Sequence, residues 1–260
     1  MSYFGGPDKL VKQFRGCFDY YRGNELYCEE NFDVLYHPQS QYYQFDSKII
    51  GRVKTGEMLS INVVYEITDK FIPRMAYVSK TLGNQSSTEL FTFDQKTSTL
   101  NYEFKGVDSE GSAQLNTNYK FHISLPSAVT SMLFMKTRKF NNTSKNNYSV
   151  LSSYNQWSFE KGPEFQGLSL ERIGANKDQL TIGDSKIQSF KYKLCKESLD
   201  AASTMMSNKR QEKKAYLLVY ISGHLTIPYK IVTTSDRAEE MRAEQSRIMI
   251  RYLNDLRESN

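Results

Sequence analysis

Apolar and polar residues alternate along most of the first 125 residues, which is the pattern of half-buried β-strands. In the clearest run, from Met58 to Thr68, every second residue is apolar: Leu59, Ile61, Val63, Tyr65 and Ile67. Short turns containing Gly, Pro, Asn or Ser lie at residues 22–25, 37–41, 54–56 and 83–85. They separate this run from similar ones. This spacing predicts an antiparallel meander with one solvent-exposed face and one buried face.

One segment departs from the strand pattern and predicts a helix. Ser124 and Pro126 are typical of a helix start, because serine caps the first turn and proline is tolerated within it. Met132 and Leu133 then fall on an apolar stripe with helical spacing. We therefore expect a short helix over Pro126–Lys136 that covers the apolar face of the sheet.

The second half of the chain returns to strand-like runs. We predict strands near residues 148–153, 156–160, 167–172, 179–182, 186–195, 215–222 and 227–233. The polar stretch 197–214 has few apolar anchors and predicts a mobile insertion, with a surface helix as the other interpretation. Residues 235–258 form either a continuous helix or a helix-prone stretch followed by a closing strand that contains Ile248, Ile250 and Tyr252.

Together these elements predict an all-β fold, or a β-rich α+β fold, in a single domain spanning residues 1–260. The expected architecture is a curved antiparallel sheet or half-barrel of eight or more strands wrapped over one or two helices. Length and a 39% apolar content suit one domain of this kind. The aromatic content of 13% favours pleated strands, and more weakly an aromatic-lined cavity.

Charge and targeting signals narrow the function classes. The net charge is +5, from 34 basic and 29 acidic residues, and the basic residues are scattered apart from a run at 209–214. Without a basic stripe or a recognisable module, we predict no nucleic-acid binding. No apolar run is long enough to span a membrane, and no signal peptide is visible. The chain is expected to be soluble and cytoplasmic, or periplasmic if an export signal has been removed.

Motifs for cofactors and metals are missing from the sequence. It contains no glycine-rich phosphate loop, no dinucleotide fingerprint and no nucleophile elbow. The three cysteines, Cys17, Cys28 and Cys195, have no metal-ligand spacing. We therefore predict neither a cofactor nor a metal site.

Two residues stand out as weak catalytic candidates. His122 lies between Phe121 and Ile123, directly before the predicted helix. Glu30 shares the apolar face of its strand with Phe32, so its carboxyl group either lines a pocket or marks where the strand leaves the core. No further residue is assigned a catalytic role.

The apolar faces of the strands and the helix are expected to converge on one interior. A curved sheet of this length around so short a helix leaves volume unfilled, which we interpret as a ligand site. Its predicted lining comprises six sheet residues and two helix residues: Tyr43, Phe45, Leu59, Ile61, Val63, Tyr65, Met132 and Leu133.

The order of these elements resembles a known architecture. It begins with a strand at residues 18–25, continues through the proline-initiated helix, and ends in strands at 227–231 and 248–253. This order resembles uncharacterised bacterial domains with a curved antiparallel half-barrel over helices. The periplasmic lipoprotein carrier, its outer-membrane receptor and a cofactor-free enzyme of violacein biosynthesis share that architecture. The resemblance is one of pattern, and no functional residue is carried over from it.

Three functions follow from these observations. The first is binding or carriage of a lipid or other hydrophobic or amphiphilic small molecule in an aromatic-lined cavity. The alternative is a cofactor-free enzyme of secondary metabolism, of the cyclase or isomerase type, that uses the same cavity. The second alternative is a protein-assembly module, which leaves a protein partner open. Fold alone does not separate the three, because function resides in the site.

Overall fold

The computed structural model describes residues 11–118, 120–141, 145–197, 216–221, 226–234 and 246–255. These residues form fifteen strands and one short 3-10 helix, Leu133–Thr137. The strands are β1 (Val11–Arg22), β2 (Glu25–His37), β3 (Tyr42–Arg52), β4 (Met58–Thr68), β5 (Pro73–Leu82), β6 (Gln85–Asp94), β7 (Thr99–Lys105), β8 (Glu110–Asn116), β9 (His122–Ser124), β10 (Asn146–Ser152), β11 (Glu164–Ile182), β12 (Ser185–Glu197), β13 (Tyr216–Ile221), β14 (Pro228–Thr234) and β15 (Ser246–Asp255).

All fifteen strands lie in one curved sheet, in the order β8-β7-β6-β5-β4-β3-β2-β1-β15-β14-β13-β12-β11-β10-β9. Every pairing is antiparallel except that of β9 with β10, which is parallel. Two meanders, β1–β8 and β10–β15, are joined where β1 pairs with β15. The predicted curved antiparallel sheet of eight or more strands is confirmed.

The alternation seen in the sequence places one face of each strand on the interior. On β4, Val63, Tyr65 and Ile67 are buried, and the residues between them are partly exposed. Two hairpin turns begin with Gly23 and Gly83, at φ +58° and +56°. A two-residue turn that matches the twist of a hairpin needs a positive φ at its first position, which glycine adopts without steric cost.

Directly paired residues form an interior row across β1 to β8. The row consists of Phe14, Val34, Phe45, Tyr65, Ala76, Phe91, Tyr102 and Ala113. All are buried except Ala113, which is half-buried. The first meander therefore presents a continuous apolar and aromatic surface to residues 125–137, which follow β9 and cross the interior. We call these residues the crossing segment.

The crossing segment differs from the predicted helix over Pro126–Lys136. Residues 128–132 form turns, and only Leu133–Thr137 is helical, as a 3-10 helix. The hydroxyls of Thr130 and Ser131 donate to the carbonyl oxygens three residues earlier, at 3.2 and 2.7 Å. Such side-chain bonds compete with α-helical pairing and favour tight i to i+3 turns. The predicted α-helix is wrong, although a short element does cover the sheet.

Three other expectations concern the second half of the chain. The closing strand predicted around Ile248 and Ile250 is present as β15, whereas residues 235–245 and 256–260 lie outside the described residues. The predicted insertion at 197–214 lies outside them as well, apart from Glu197. The strand predicted at 156–160 is wrong, because that stretch is a loop. The side chain of Ser87 holds it by donating a hydrogen bond to the backbone carbonyl oxygen of Gln156 at 2.6 Å. Among the described residues, no helix has the length and apolar character needed to cross a bilayer.

Candidate functional site

An apolar cavity of about 140 Å³ opens between the first meander and the crossing segment. Ten residues line it: Gln13, Phe14, Val34, Tyr43, Phe45, Phe71, Leu133, Lys136, Thr226 and Ile227. Most of the lining is aliphatic or aromatic. Lys136 is exposed, and Gln13 and Thr226 are half-buried, so these polar side chains mark the solvent-facing side. We call this site the aromatic cavity.

Strand register explains why the aromatic cavity has this wall. Phe14, Val34 and Phe45 occupy three consecutive positions of the interior row, on β1, β2 and β3. The ring of Phe71 stacks on that of Tyr43, with 6.1 Å between their centroids. The Lys136 ammonium group lies 5.4 Å from the centroid of the Phe71 ring, within the range of a cation–π interaction. One cation is thus held beside an otherwise apolar wall.

The predicted ligand-binding residues are only partly brought together. Tyr43, Phe45 and Leu133 line the aromatic cavity. Val63 and Tyr65 are buried farther along the sheet, in the same core. Met132 belongs to a second cluster with Phe134 and Tyr148 instead.

The separation of Met132 from Leu133 follows from the turn between them, since adjacent residues in a tight turn point in different directions. Of the remaining predicted residues, Ile61 packs at the margin of the main core, and Leu59 is half-buried. Neither lines the cavity. Phe14 and Ile227 were not predicted: Phe14 enters the cavity from β1, and Ile227 from the residues directly before β14.

Glu30 is fully buried and holds the crossing segment in place. Its carboxylate accepts hydrogen bonds from Ser47 Oγ at 2.7 Å, Ser127 Oγ at 2.6 Å and the backbone nitrogen of Ala128 at 2.8 Å. The Tyr20 hydroxyl donates to it as well. Burial and this neighbouring carboxylate raise the pKa of Tyr20 well above its usual value. This geometry gives Glu30 an anchoring role, which is neither of the two interpretations offered from the sequence.

His122 is sealed inside the protein beside Tyr65. Its Nδ1 lies 3.1 Å from the Tyr65 hydroxyl, whose oxygen accepts a hydrogen bond from the backbone nitrogen of Ile123 at 3.4 Å. Because burial disfavours the charged imidazolium, the pKa of His122 falls to about 3. Neither His122 nor Glu30 lines the aromatic cavity.

The lowered pKa makes stability depend on pH. The unfolded chain protonates His122 below about pH 6.5, whereas the folded protein keeps it neutral down to about pH 3, so stability falls as the pH falls through this window. Between pH 7 and pH 5 we expect His122 to account for a loss of about 2 kcal/mol. Urea denaturation of wild type and His122→Gln at both pH values measures it. An equal pH dependence in the two proteins would contradict this expectation.

A second cavity, of about 300 Å³, lies between β5 and β6 on one wall and β10 and β11 on the other. A buried ion pair lies in its lining: Lys80 Nζ is 2.7 Å from Glu89 Oε1, and these residues are 8% and 4% exposed. The Tyr102 hydroxyl donates to the second Glu89 oxygen at 2.9 Å. We call this site the polar cavity. The described part of the chain contains no cluster of three or more His, Cys, Asp or Glu residues suited to a metal ion.

Comparison with known proteins finds similarity in structure only. Neither the known protein families nor the curated proteins contain a match. A β-barrel-like protein of the domain-of-unknown-function family DUF1849 from Brucella abortus is similar, with a TM-score of 0.53 and 7% identity over 94% of this chain and 98% of its own. What the two share is the fold. A DUF1089 family protein from Pseudomonas aeruginosa reaches a TM-score of 0.46 with 9% identity, over 80% of this chain and 90% of its own.

The first of these structures agrees with one part of the predicted resemblance. The first is a bacterial protein with a domain of unknown function, as the resemblance to uncharacterised bacterial domains implies. The lipoprotein-carrier type of half-barrel stays a hypothesis. Function must therefore be argued from this chain's own cavities.

Proposed function

We propose that the protein binds a small hydrophobic or amphiphilic molecule whose apolar end occupies the aromatic cavity. The observation that carries the proposal is the cavity itself, since a packed interior rarely leaves a void larger than a water molecule. Here about 140 Å³ is left beside Phe14, Phe45 and Leu133. The apolar wall of Phe14, Phe45 and Leu133 favours an apolar guest.

The volume limits the size of that apolar end. An engineered apolar cavity of roughly 150 Å³ accepts benzene, so the aromatic cavity suits one ring or a short alkyl chain. A whole lipid acyl chain exceeds it. Carriage of a lipid would place only the end of a chain inside, which makes a short-chain or single-ring ligand the better fit.

The polar residues at the solvent-facing side favour a ligand whose head group accepts hydrogen bonds. The exposed Lys136 lies beside Phe71 and at the edge of the cavity. Gln13 and Thr226, which also line it, can bond a head group from the same side. An amphiphile with an anionic head, such as a short-chain carboxylate, can place its apolar chain inside the cavity and its head group beside these polar residues.

Filling the cavity is the direct test of the proposal. We expect Leu133→Phe to occupy the void and to weaken binding of hexanoate and hexan-1-ol at least tenfold. Because added bulk at a cavity meets less resistance than in a packed core, its stability cost should stay within about 1–3 kcal/mol. Lys136→Met should weaken hexanoate about tenfold and leave hexan-1-ol unchanged, since only hexanoate carries a charge. Isothermal titration calorimetry measures both.

Ile61→Phe serves as the matched control. It adds similar bulk on β4, at a half-buried position outside the cavity lining. Binding of both probes should be unchanged. Two results would contradict the proposed site. One is an affinity of Leu133→Phe for hexan-1-ol equal to that of wild type, and the other is a loss of binding in Ile61→Phe.

A further inference from the structure

We propose that the polar cavity is a second binding site, for a small organic carboxylate with an apolar body. Its 300 Å³ falls at the lower end of the range for small-molecule sites. The aromatic and polar cavities have no lining residue in common. The second site thus stands independently of the first.

Two hydrogen-bond donors of the cavity have capacity for a ligand. Lys80 Nζ carries three N–H groups and donates to Glu89 Oε1 at 2.7 Å and to the Asn155 carbonyl oxygen at 3.1 Å. One N–H remains. Gln166 Nε2 is buried, and within the described part of the chain it has no hydrogen-bond partner. Since buried donors are nearly always paired in proteins, this amide favours an acceptor that none of the described residues supplies, such as a bound ligand.

The charges of the lining favour an anionic acceptor. Lys80 and Lys196 carry two positive charges against the single negative charge of Glu89. Both oxygens of Glu89 are already engaged, one by Lys80 and the other by the Tyr102 hydroxyl. Lys196 is exposed, so it can attract an anion from solvent. A carboxylate accepts charge-assisted hydrogen bonds from both a lysine and an amide.

The rest of the lining can hold the apolar body of such a ligand. Phe91 and Val150 contribute side chains from opposite walls, and Leu125 contributes one from the crossing segment. An aromatic ring offers a flat apolar surface on which another ring can stack. The combination of cationic donors and an aromatic wall indicates an aryl carboxylate in preference to a polyol or a free inorganic anion.

The test compares 2-naphthoate with 2-naphthamide, two probes of the same shape that differ in charge. Their bicyclic ring is larger than the benzene-sized guest that suits the aromatic cavity. We expect 2-naphthoate to bind wild-type protein at least tenfold more tightly than 2-naphthamide in isothermal titration calorimetry. Gln166→Leu, which removes the unpartnered donor and keeps a similar bulk, should weaken 2-naphthoate about tenfold. Circular dichroism and thermal unfolding check that this variant folds.

Leu133→Phe is the matched control, because it alters only the aromatic cavity and should leave 2-naphthoate binding unchanged. Equal affinities for the two probes, an unchanged affinity in Gln166→Leu, or no binding of 2-naphthoate up to millimolar concentration each overturns the proposal. Loss of 2-naphthoate binding in Leu133→Phe also overturns it, since the probe would then occupy the aromatic cavity. None of these results bears on hexanol binding, so the two sites fail or stand separately.

Discussion

Replacing Glu30 by alanine is expected to lower the free energy of unfolding by roughly 4 kcal/mol or more. The carboxylate accepts hydrogen bonds from the Tyr20, Ser47 and Ser127 hydroxyls and from the Ala128 backbone nitrogen, all of which would lose their acceptor. Each buried donor left without a partner costs about 1–3 kcal/mol. Because native proteins are stable by only about 5–15 kcal/mol, such a loss threatens folding.

Glu29→Ala provides the matched control one residue away. Its side chain points to the other face of β2, is 44% exposed and pairs with Arg251. Pairs of this exposure contribute less than about 1 kcal/mol, so the variant should unfold nearly like wild type. Urea denaturation compares the two alanine variants, and limited proteolysis shows whether the crossing segment opens. Similar losses in both would contradict the anchoring role of Glu30.

Lys80→Met is expected to cost about 3–5 kcal/mol, because it leaves the Glu89 carboxylate buried without its cation. Glu89 is 4% exposed, so solvent reaches its carboxylate only by way of the polar cavity. Lys80 also donates to the carbonyl oxygen of Asn155 in the loop after β10, at 3.1 Å. The variant should therefore loosen that loop as well as destabilise the whole sheet.

The double variant Lys80→Met, Glu89→Met separates the cost of an unpaired charge from the loss of bulk. Replacing both members of a buried pair by apolar residues is often neutral, so we expect most of the lost stability to return. Tyr102 keeps a neighbour in Ser153, at 3.0 Å. Lys161→Met, which breaks an exposed pair with Glu164, should change stability by less than about 1 kcal/mol. Urea denaturation measures the stability of each variant. A double variant that is no more stable than Lys80→Met would contradict this account.

The sheet was predictable from sequence because strand alternation is a local signal. In β4, side chains at every second position share a face whatever the rest of the chain does. The crossing segment was not predictable in the same way. Its conformation depends on Glu30, which bonds Ser127 and the backbone nitrogen of Ala128 nearly 100 residues later. That contact, together with the hydroxyls of Thr130 and Ser131, replaces the α-helix that the spacing indicated.

The candidate sites were predictable only where one strand carries the information. Tyr43 and Phe45 belong to a single alternating run, and both line the aromatic cavity. Ile227 lines the same cavity from a segment more than 180 residues away, a contact that no local pattern signals. The polar cavity was missed because Lys80 and Gln166 each look like ordinary strand residues, and only the curvature of the sheet brings their walls together.

The pairing of β1 with β15 has a consequence for how the protein is made. The edge of β1 that receives β15 stays open until the last strand leaves the ribosome, more than 200 residues after β1 itself. At ordinary rates of synthesis this delay is on the order of ten to fifty seconds. During that time β1, which carries Phe14 and Phe18 among polar residues, presents an unpaired edge, which is a template for aggregation. Chaperone dependence during translation, with efficient refolding only once β15 is present, is the behaviour this topology favours.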